Sequence, residues 1–374
     1  MMRIDRIVLR EIDLPLKEPF RISSGTVHER RILLVELVCD GVSEWSECVA
    51  AESPNYSPET VDTAWLALTR WVGPRVVGRT FRSPDEVAPA LDENFRGHPM
   101  AKAAVEMGAW ALHARLEGIS LSTALGGERT RVPVGVSMGI QDSPADLVAL
   151  ARRNHAQGYR KLKIKVAPGK DLEFVAAVRD ALGPDVSLMV DANAAYRPED
   201  TDHLLGFDAF GLTMIEQPLD RTDLVRHARL QERLRTPICL DESIDCPDRA
   251  EDMLTLGAGR IVNIKPGRVG GFAASRRIHD LAREAGVPVW CGGMLESGIG
   301  RAHNVALASL PNFSLPGDLS PSSRYWARDI VDPPWTMDAT GHVDVPVERP
   351  GIGVDVDRAF VEARTTRSLT IDPN

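Results

Sequence analysis

Cysteine is scarce in this chain. Its 374 residues include five, Cys39, Cys48, Cys239, Cys246 and Cys291. The number is odd and no two form a CxxC pair. Neither a disulfide framework nor a thiolate zinc site is expected, and a cytoplasmic, reducing location fits. Long apolar runs are also missing. None reaches the ~18 residues that a membrane span needs. The first sixteen residues alternate charge with Ile, Val and Leu where a signal peptide would carry an apolar core. Positive charge is in deficit: Lys+Arg 44 against Asp+Glu 53 leaves −9. That argues against partners such as nucleic acid or an anionic membrane surface. What is present is ordinary globular composition, 43% hydrophobic and 26% charged. Disorder, collagen-like repetition and coiled coil are excluded as the main state. The length suits one large domain or two of moderate size.

The first ~40 residues read as β. Residues 3–9 and 30–38 are rich in Ile, Leu and Val, and Asp40-Gly41 signals a turn into a third strand at 45–49. Ser57-Pro58 reads as a helix start, followed by Val61, Trp65, Leu68 and Val72 at helical spacing. Residues 100–116 form a second, Ala-rich helix. Residues 1–128 are therefore expected to be an α+β capping domain. After Gly126-Gly127 the pattern changes. Apolar runs at 132–138, 162–166, 187–190, 212–215, 238–240, 261–264, 287–291 and, more weakly, 313–315 alternate with stretches long enough for helices. Alternating β and α with wholly apolar strands means a parallel sheet covered on both faces. Eight such units most simply close into a TIM-type barrel over 129–322. A doubly wound open sheet is the structural alternative, but the Gly-rich first βα turn of a dinucleotide fold is missing. The tail, 323–374, returns to β-like pieces and is expected to pack back on the cap.

The strand ends carry the chemistry. Lys163 and Lys165 lie in the second run, Asp191 follows the third, Glu216 the fourth, Asp241 the fifth and Lys265 the sixth. From Lys165 onward they recur every 24 to 26 residues, one βα unit apart. In a barrel all of them reach the C-terminal rim, where the active sites of this architecture lie. Alternation puts Lys163 and Lys165 on one side of their strand. Singly, an Asp after a strand is a helix cap and a Lys there is surface charge. Six ionisable residues in register on consecutive strands point instead to a site. Three carboxylates without His or Cys suit a hard divalent cation, Mg²⁺ first and Mn²⁺ as a substitute. The lysines, being cations, are better read as acid/base groups. Crowding by Lys163, by the metal and by burial would lower the pKa of Lys165 enough for it to act as a base, with Glu242 partly offsetting this. The site then suits proton abstraction next to a carboxylate, the metal stabilising an enediolate. Lys265 would either deliver a proton on the opposite face or hold the enolate by charge.

These residues resemble the enolase superfamily, muconate-lactonizing-enzyme subgroup, whose sites use a Lys or His base with Mg²⁺. The resemblance covers nearly the whole chain and implies a modified (β/α)₇β barrel with a capping domain. The signature is Lys163-Ile164-Lys165 with Asp191, Glu216, Asp241 and Lys265. A mandelate-racemase-type site would want a late-strand His, and WCGGM has none. Within the subgroup the chain is similar to o-succinylbenzoate synthases that also racemise N-succinylamino (N-acylamino) acids. The matching stretches include EPFRISSGT (18–26), GYRKLKIKVAPG (158–169), IVNIKPGRVGG (261–271) and residues 288–313. By that resemblance Lys165 is the base on one face, Lys265 the group on the other, and Lys163 an electrostatic helper. Ser137 and Asn193 would line the site, and Gly292, Gly293 and Met294 would hold the succinyl tail. Phe20 would belong to a loop closing the mouth. Arg268 resembles an arginine of the racemase-capable branch. Ala51, next to Tyr56, stands where relatives carry a larger Met, which enlarges the pocket. The resemblance also implies menaquinone biosynthesis as a context, and a homo-oligomer is expected.

Two neighbouring activities stay open, dipeptide epimerase and muconate cycloisomerase. An epimerase should place acidic residues at the eighth strand to grip an ammonium, and only Asp318 is available there. From other classes come a non-catalytic, metal-stabilised binding protein and a Schiff-base aldolase. The complete set of bases and ligands argues against the first, and the carboxylate triad is superfluous to the second.

Overall fold

The run ILLVELV, residues 32–38, reads as a strand with no polar face, and its place in the fold explains why. The computed structural model describes residues 1–22 and 25–373, so Ser23 and Ser24 of the 18–26 stretch lie outside the described residues. Strands β1 (Arg6–Ile22), β2 (Gly25–Cys39) and β3 (Val42–Cys48) form an antiparallel sheet with β2 between the other two. Successive residues of a strand face opposite sides. Leu33, Val35 and Leu37 enter the core of the cap, while Ile32 and Leu34 join the cluster that continues into the barrel. Both faces of this run are thus covered by protein, and each fully buried Leu or Ile contributes about 1.5–3 kcal/mol.

The strands are longer than the apolar runs, because β1 and β2 continue as a hairpin whose ends pair out to Ile22 and Gly25. The helix expected from Ser57-Pro58 begins later, at Val61–Ala67. Thr60 is its N-cap and exchanges hydrogen bonds with Thr63, which outcompetes the earlier start. Helix α1 (Pro99–Leu116) lies close on β3, where its small side chains permit a near approach.

Strands β4 (Gly135–Met138), β5 (Lys161–Lys165), β6 (Leu188–Asp191), β7 (Ile215–Glu216), β8 (Ile238–Leu240) and β9 (Ile261–Ile264) pair in parallel, each with its successor. Strand β10 (Val289–Cys291) ends the row. Helix α2 (Phe272–Glu284) follows β9 and helix α3 (Gly298–Ala308) follows β10. This sequential order excludes the doubly wound alternative. The expected eighth strand at 313–315 does not form. Closure comes a little later, where Gly317 exchanges hydrogen bonds with Pro133 and Gly135 and the Asp318 N–H donates to the Cys291 carbonyl (2.9 Å). Phe313 is used in the core, and Leu315 packs on the Met189–Met214–Trp290 cluster. The architecture is a modified (β/α)₇β barrel with an irregular eighth position.

The last strand, β11 (Thr365–Ile371), returns to the cap and pairs antiparallel with β1, Thr365 opposite Ile12 and Ile371 opposite Ile7. Two buried carboxylates tie cap to barrel. Glu106 of α1 accepts from the Phe272 and Ala273 N–H groups (2.7 and 2.9 Å) at the start of α2. Gly271 just before it has φ +116°, and a Cβ there would sit 2.3 Å from the Glu106 carboxylate. Glu47 of β3 accepts from Ser297 N–H (3.0 Å), Ser297 Oγ (2.6 Å) and Gly300 N–H (3.2 Å) at the start of α3. Each supplies acceptors to helix N–H groups that have no partner within their own helix. No helix among the described residues is long and apolar enough to cross a membrane.

Candidate active site

Strand register sets the site. Lys165 pairs with Asp191 and Asp191 with Glu216, so three ionisable side chains stand at one level on β5, β6 and β7. Asp241 follows β8 and Lys265 follows β9. The six ionisable residues read from the sequence all reach the same mouth, and all but Lys165 are buried.

Each carboxylate is held by cations. Lys165 Nζ donates to Asp191 Oδ2 and to Asn193 Oδ1, both at 2.6 Å. Lys163 Nζ lies 3.3 Å from Asp191, 3.4 Å from Glu216 and 2.6 Å from Asp318. Lys265 Nζ donates to Asp241 Oδ2 at 2.8 Å and to the Tyr56 hydroxyl at 3.1 Å. Arg268 also pairs directly with Asp241, and it donates to the Asn263 and Ile244 carbonyls at 2.6 and 2.8 Å. Tyr56 donates to Asp241 Oδ1 at 3.1 Å. It is therefore bonded into the Lys265 side of the site as well as lining the mouth.

The electrostatics follow from burial and crowding. Burial, then the neighbouring Asp191 charge, push the Glu216 carboxyl up to about 8. Burial and the Asp241 charge push Glu242 up to about 7. Burial also disfavours ionised Asp191, but Lys165 and Lys163 outweigh it and hold that carboxyl below the usual range. For Lys163, burial works against the ammonium, and Asp318, Glu216 and Asp191 more than reverse it, so its pKa is raised. Lys265 is raised in the same way, chiefly by Asp241.

The remaining expected residues are nearby. Asn193 donates to Glu242 (2.9 Å), which fixes the amide that meets Lys165. Ser137 stands opposite Lys163 across the β4–β5 pair, and its buried Oγ has no partner among the described residues. At Gly292 a Cβ would lie 2.2 Å from Asn263 Oδ1 and 2.7 Å from Lys265 Cε, so the bare backbone is required there. Met294 N–H donates to Glu296 (2.7 Å). Phe20, Ala51, Tyr56, Gly293 and Met294 line a cavity of about 470 Å³ that also reaches Lys165, Asn193 and Lys265. Phe20 meets Tyr325 edge to face, with centroids 6.5 Å apart.

Several participants escaped the sequence reading. Asn263 donates to Glu216 Oε1 (2.7 Å). It lies two residues before Lys265 on β9, so alternation could have found it. Gln217 accepts from the Asp241 and Ser243 N–H groups, both at 3.1 Å, and ties the end of β7 to that of β8. Lys161, a third inward lysine of β5, places its Nζ 3.4 Å from the Trp290 ring centroid. Asp318, the one acidic residue that the sequence offers an epimerase at the eighth strand, is the direct partner of Lys163. Asn193, Ala194, Gln217 and Leu295 all have positive φ, between 40° and 60°. Such strain in non-glycine residues gathers at functional rims.

Asp191, Glu216 and Asp241 are the residues that could hold a metal. Among the described residues no three His, Cys, Asp or Glu side chains are already gathered round one point, since each carboxylate is turned to a cation. The donor set nonetheless fits a hard dication: three carboxylates and no softer donor, buried within mutual electrostatic reach.

Comparison with known proteins agrees with this geometry. Residues 4–126 match the mandelate racemase / muconate lactonizing enzyme N-terminal domain, and residues 146–360 match the enolase C-terminal domain-like family. An o-succinylbenzoate synthase of Geobacillus kaustophilus is 50% identical over 365 residues, covering 97% of this chain and 96% of that protein. An N-succinylamino acid racemase of an Amycolatopsis species is 44% identical over 370 residues, covering 99% and 100%. A crystal structure of an enolase-superfamily member from Listeria innocua superposes with a TM-score of 0.96 at 39% identity, covering all of both chains.

Proposed function

The chain belongs to the mandelate racemase / muconate lactonizing enzyme family of the enolase superfamily, and we propose that Lys165 and Lys265 act from opposite sides of its mouth on the carbon next to a substrate carboxylate. It is an enzyme of the o-succinylbenzoate synthase / N-succinylamino acid racemase type acting on a small molecule. The observation that carries the reading is the placement of the two lysines. They end strands four apart in a barrel of eight positions, β5 and β9, with the carboxylates between them.

Asp191, Glu216 and Asp241 would hold Mg²⁺, with Mn²⁺ as a substitute. When bound, the ion supplies positive charge to the substrate carboxylate and so makes the adjacent C–H more acidic. Lys165 Nζ takes the α-proton, and its hydrogen bond to the Asn193 amide orients it for the task. Lys163, anchored on Asp318, contributes fixed positive charge from below. Lys265 then has two roles that depend on the substrate. In an N-succinylamino acid it returns a proton to the opposite face, giving racemisation. In a cyclohexadiene carboxylate bearing a β-hydroxyl it holds the enolate by charge while Lys165 hands the abstracted proton to the departing hydroxyl on the same face, so that water leaves and o-succinylbenzoate forms. Arg268 and Tyr56, both bonded to the Lys265–Asp241 pair, fix that lysine. The resemblance of Arg268 to the arginine of the racemase-capable branch favours racemisation among the activities.

The test uses purified protein, Mg²⁺ and an N-succinyl-L-amino acid in D₂O, following the α-proton by NMR together with optical rotation. Exchange with loss of rotation is expected. Lys165→Ala and Lys265→Ala should each lower racemisation by at least ~10³-fold, consistent with removal of a positioned acid or base. No exchange with several acyl groups overturns the racemase reading and leaves the dehydration as the activity to assay.

A further inference from the structure

We propose that Arg30 binds a second substrate carboxylate, the one at the far end of the acyl chain; the inference rests on the function proposed above. The names of both relatives contain a succinyl group. Such a group ends in a carboxylate several bonds away from the reacting carbon. A carboxylate leaving water needs a cation or a set of N–H donors to replace its hydration.

Four cationic side chains line the mouth: Arg30, Arg31, Lys165 and Lys265. Three are already engaged. Lys165 is on Asp191 and Lys265 on Asp241. Arg31 donates to Glu11 at 2.8 Å and to Asp62 at 2.9 Å. Arg30 differs. It is 5% exposed, and its Nε has no hydrogen-bond partner among the described residues. Its bonds among the described residues are two long ones of 3.4 Å, from Nη2 to the Val49 and Ala50 carbonyls.

Burial works against the Arg30 guanidinium and lowers its pKa, and two buried carboxylates, Glu47 and Glu296, only partly offset this through space; among the described residues neither pairs with it directly. Glu47 caps α3. Glu296 accepts from Met294 N–H and Asn304 Nδ2, both at 2.7 Å, and pairs with Arg301 at 3.2 Å. Arg30 thus keeps its charge in a buried wall with most of its N–H donors unspent. It shares the cavity with Gly293, Met294 and Leu295, the segment that the resemblance assigns to the acyl tail. A guanidinium fork matches a carboxylate in two parallel bonds, which a lysine could not supply.

The experiment compares two substrates that differ only at the acyl terminus: an N-succinylamino acid and its N-succinamoyl analogue, in which a neutral amide replaces the terminal carboxylate. The wild-type enzyme is expected to favour succinyl by about 10- to 100-fold in kcat/KM, the range of one charge-assisted contact. In Arg30→Gln that ratio falls toward one, mainly through KM. Arg30→Lys, which keeps the charge and loses the fork, gives an intermediate ratio and carries the test if Arg30→Gln does not fold. A wild-type ratio near one overturns the assignment with no variant needed. An unchanged ratio in either folded variant also overturns it. Turnover of neither compound by the wild type removes the function on which the assignment rests, and the assignment with it.

Discussion

Gly292 shows how little room the mouth leaves for change. A methyl group there would press on Asn263 Oδ1 and on Lys265 Cε. Gly292→Ala is therefore expected to move Lys265 and lower kcat on the order of 100-fold, the usual cost of a displacement near 1 Å in a reacting group. The melting temperature checks that the fold survives; an unchanged kcat would show that the loop yields instead. Residues of this kind divide by how they could be read. Lys163, Lys165, Asp191, Glu216, Asp241 and Lys265 were legible because each lies in or just after an apolar run and the runs repeat at one spacing. Gln217 and Arg30 were not, because their significance lies in which atoms meet across strands. Asp318 was legible only as an acidic residue near the eighth position; that it partners Lys163 was not. Its segment is irregular, so no strand register could have placed it beside Lys163.

Among the elements, α2 begins on a carboxylate that belongs to another part of the chain. Burial pushes the Glu106 carboxyl up to about 7, against which the Phe272 and Ala273 N–H groups work only partly. The folded-state pKa exceeds the ordinary Glu value near 4.3. The native state therefore holds more protons than the unfolded chain between those limits, and stability falls as pH rises through them. The stability of the wild type relative to Glu106→Gln is expected to fall by at most about 3 kcal/mol between pH 4 and pH 8. Denaturant unfolding at the two pH values measures it, and a difference independent of pH would refute it. Element boundaries were the less legible part of the fold. Thr60 displaced Ser57-Pro58 as a helix start because its side chain closes a reciprocal bond with Thr63. The run at 313–315 was apolar enough for a strand, but Phe313 and Leu315 are spent on packing. A residue pattern shows that side chains are buried; it does not show whether the backbone bonds sideways while burying them.

For the whole molecule, the architecture was readable because alternating β and α units admit few closed arrangements. The same closure gathers the three carboxylates, and it makes the metal a matter of global stability. Excess Mg²⁺ is expected to raise the melting temperature of metal-stripped protein by several degrees, since ligand at about 100 times its Kd contributes roughly 2.7 kcal/mol. Asp241→Asn should abolish most of that rise. An equal rise in the variant would place the ion elsewhere.

The pairing of β11 with β1 carries a consequence for how the enzyme is made. The strand that pairs along Ile7 to Ile12 waits until residues 365–371 have left the ribosome. Until then β1, which runs on to Phe20 at the mouth, has one bare edge of unpaired peptide groups, the kind of template on which other chains assemble. A nascent chain can complete its barrel long before it completes its lid. Stalled or clipped products lacking only the final strand should therefore be the form of this protein most prone to cling to chaperones and to one another.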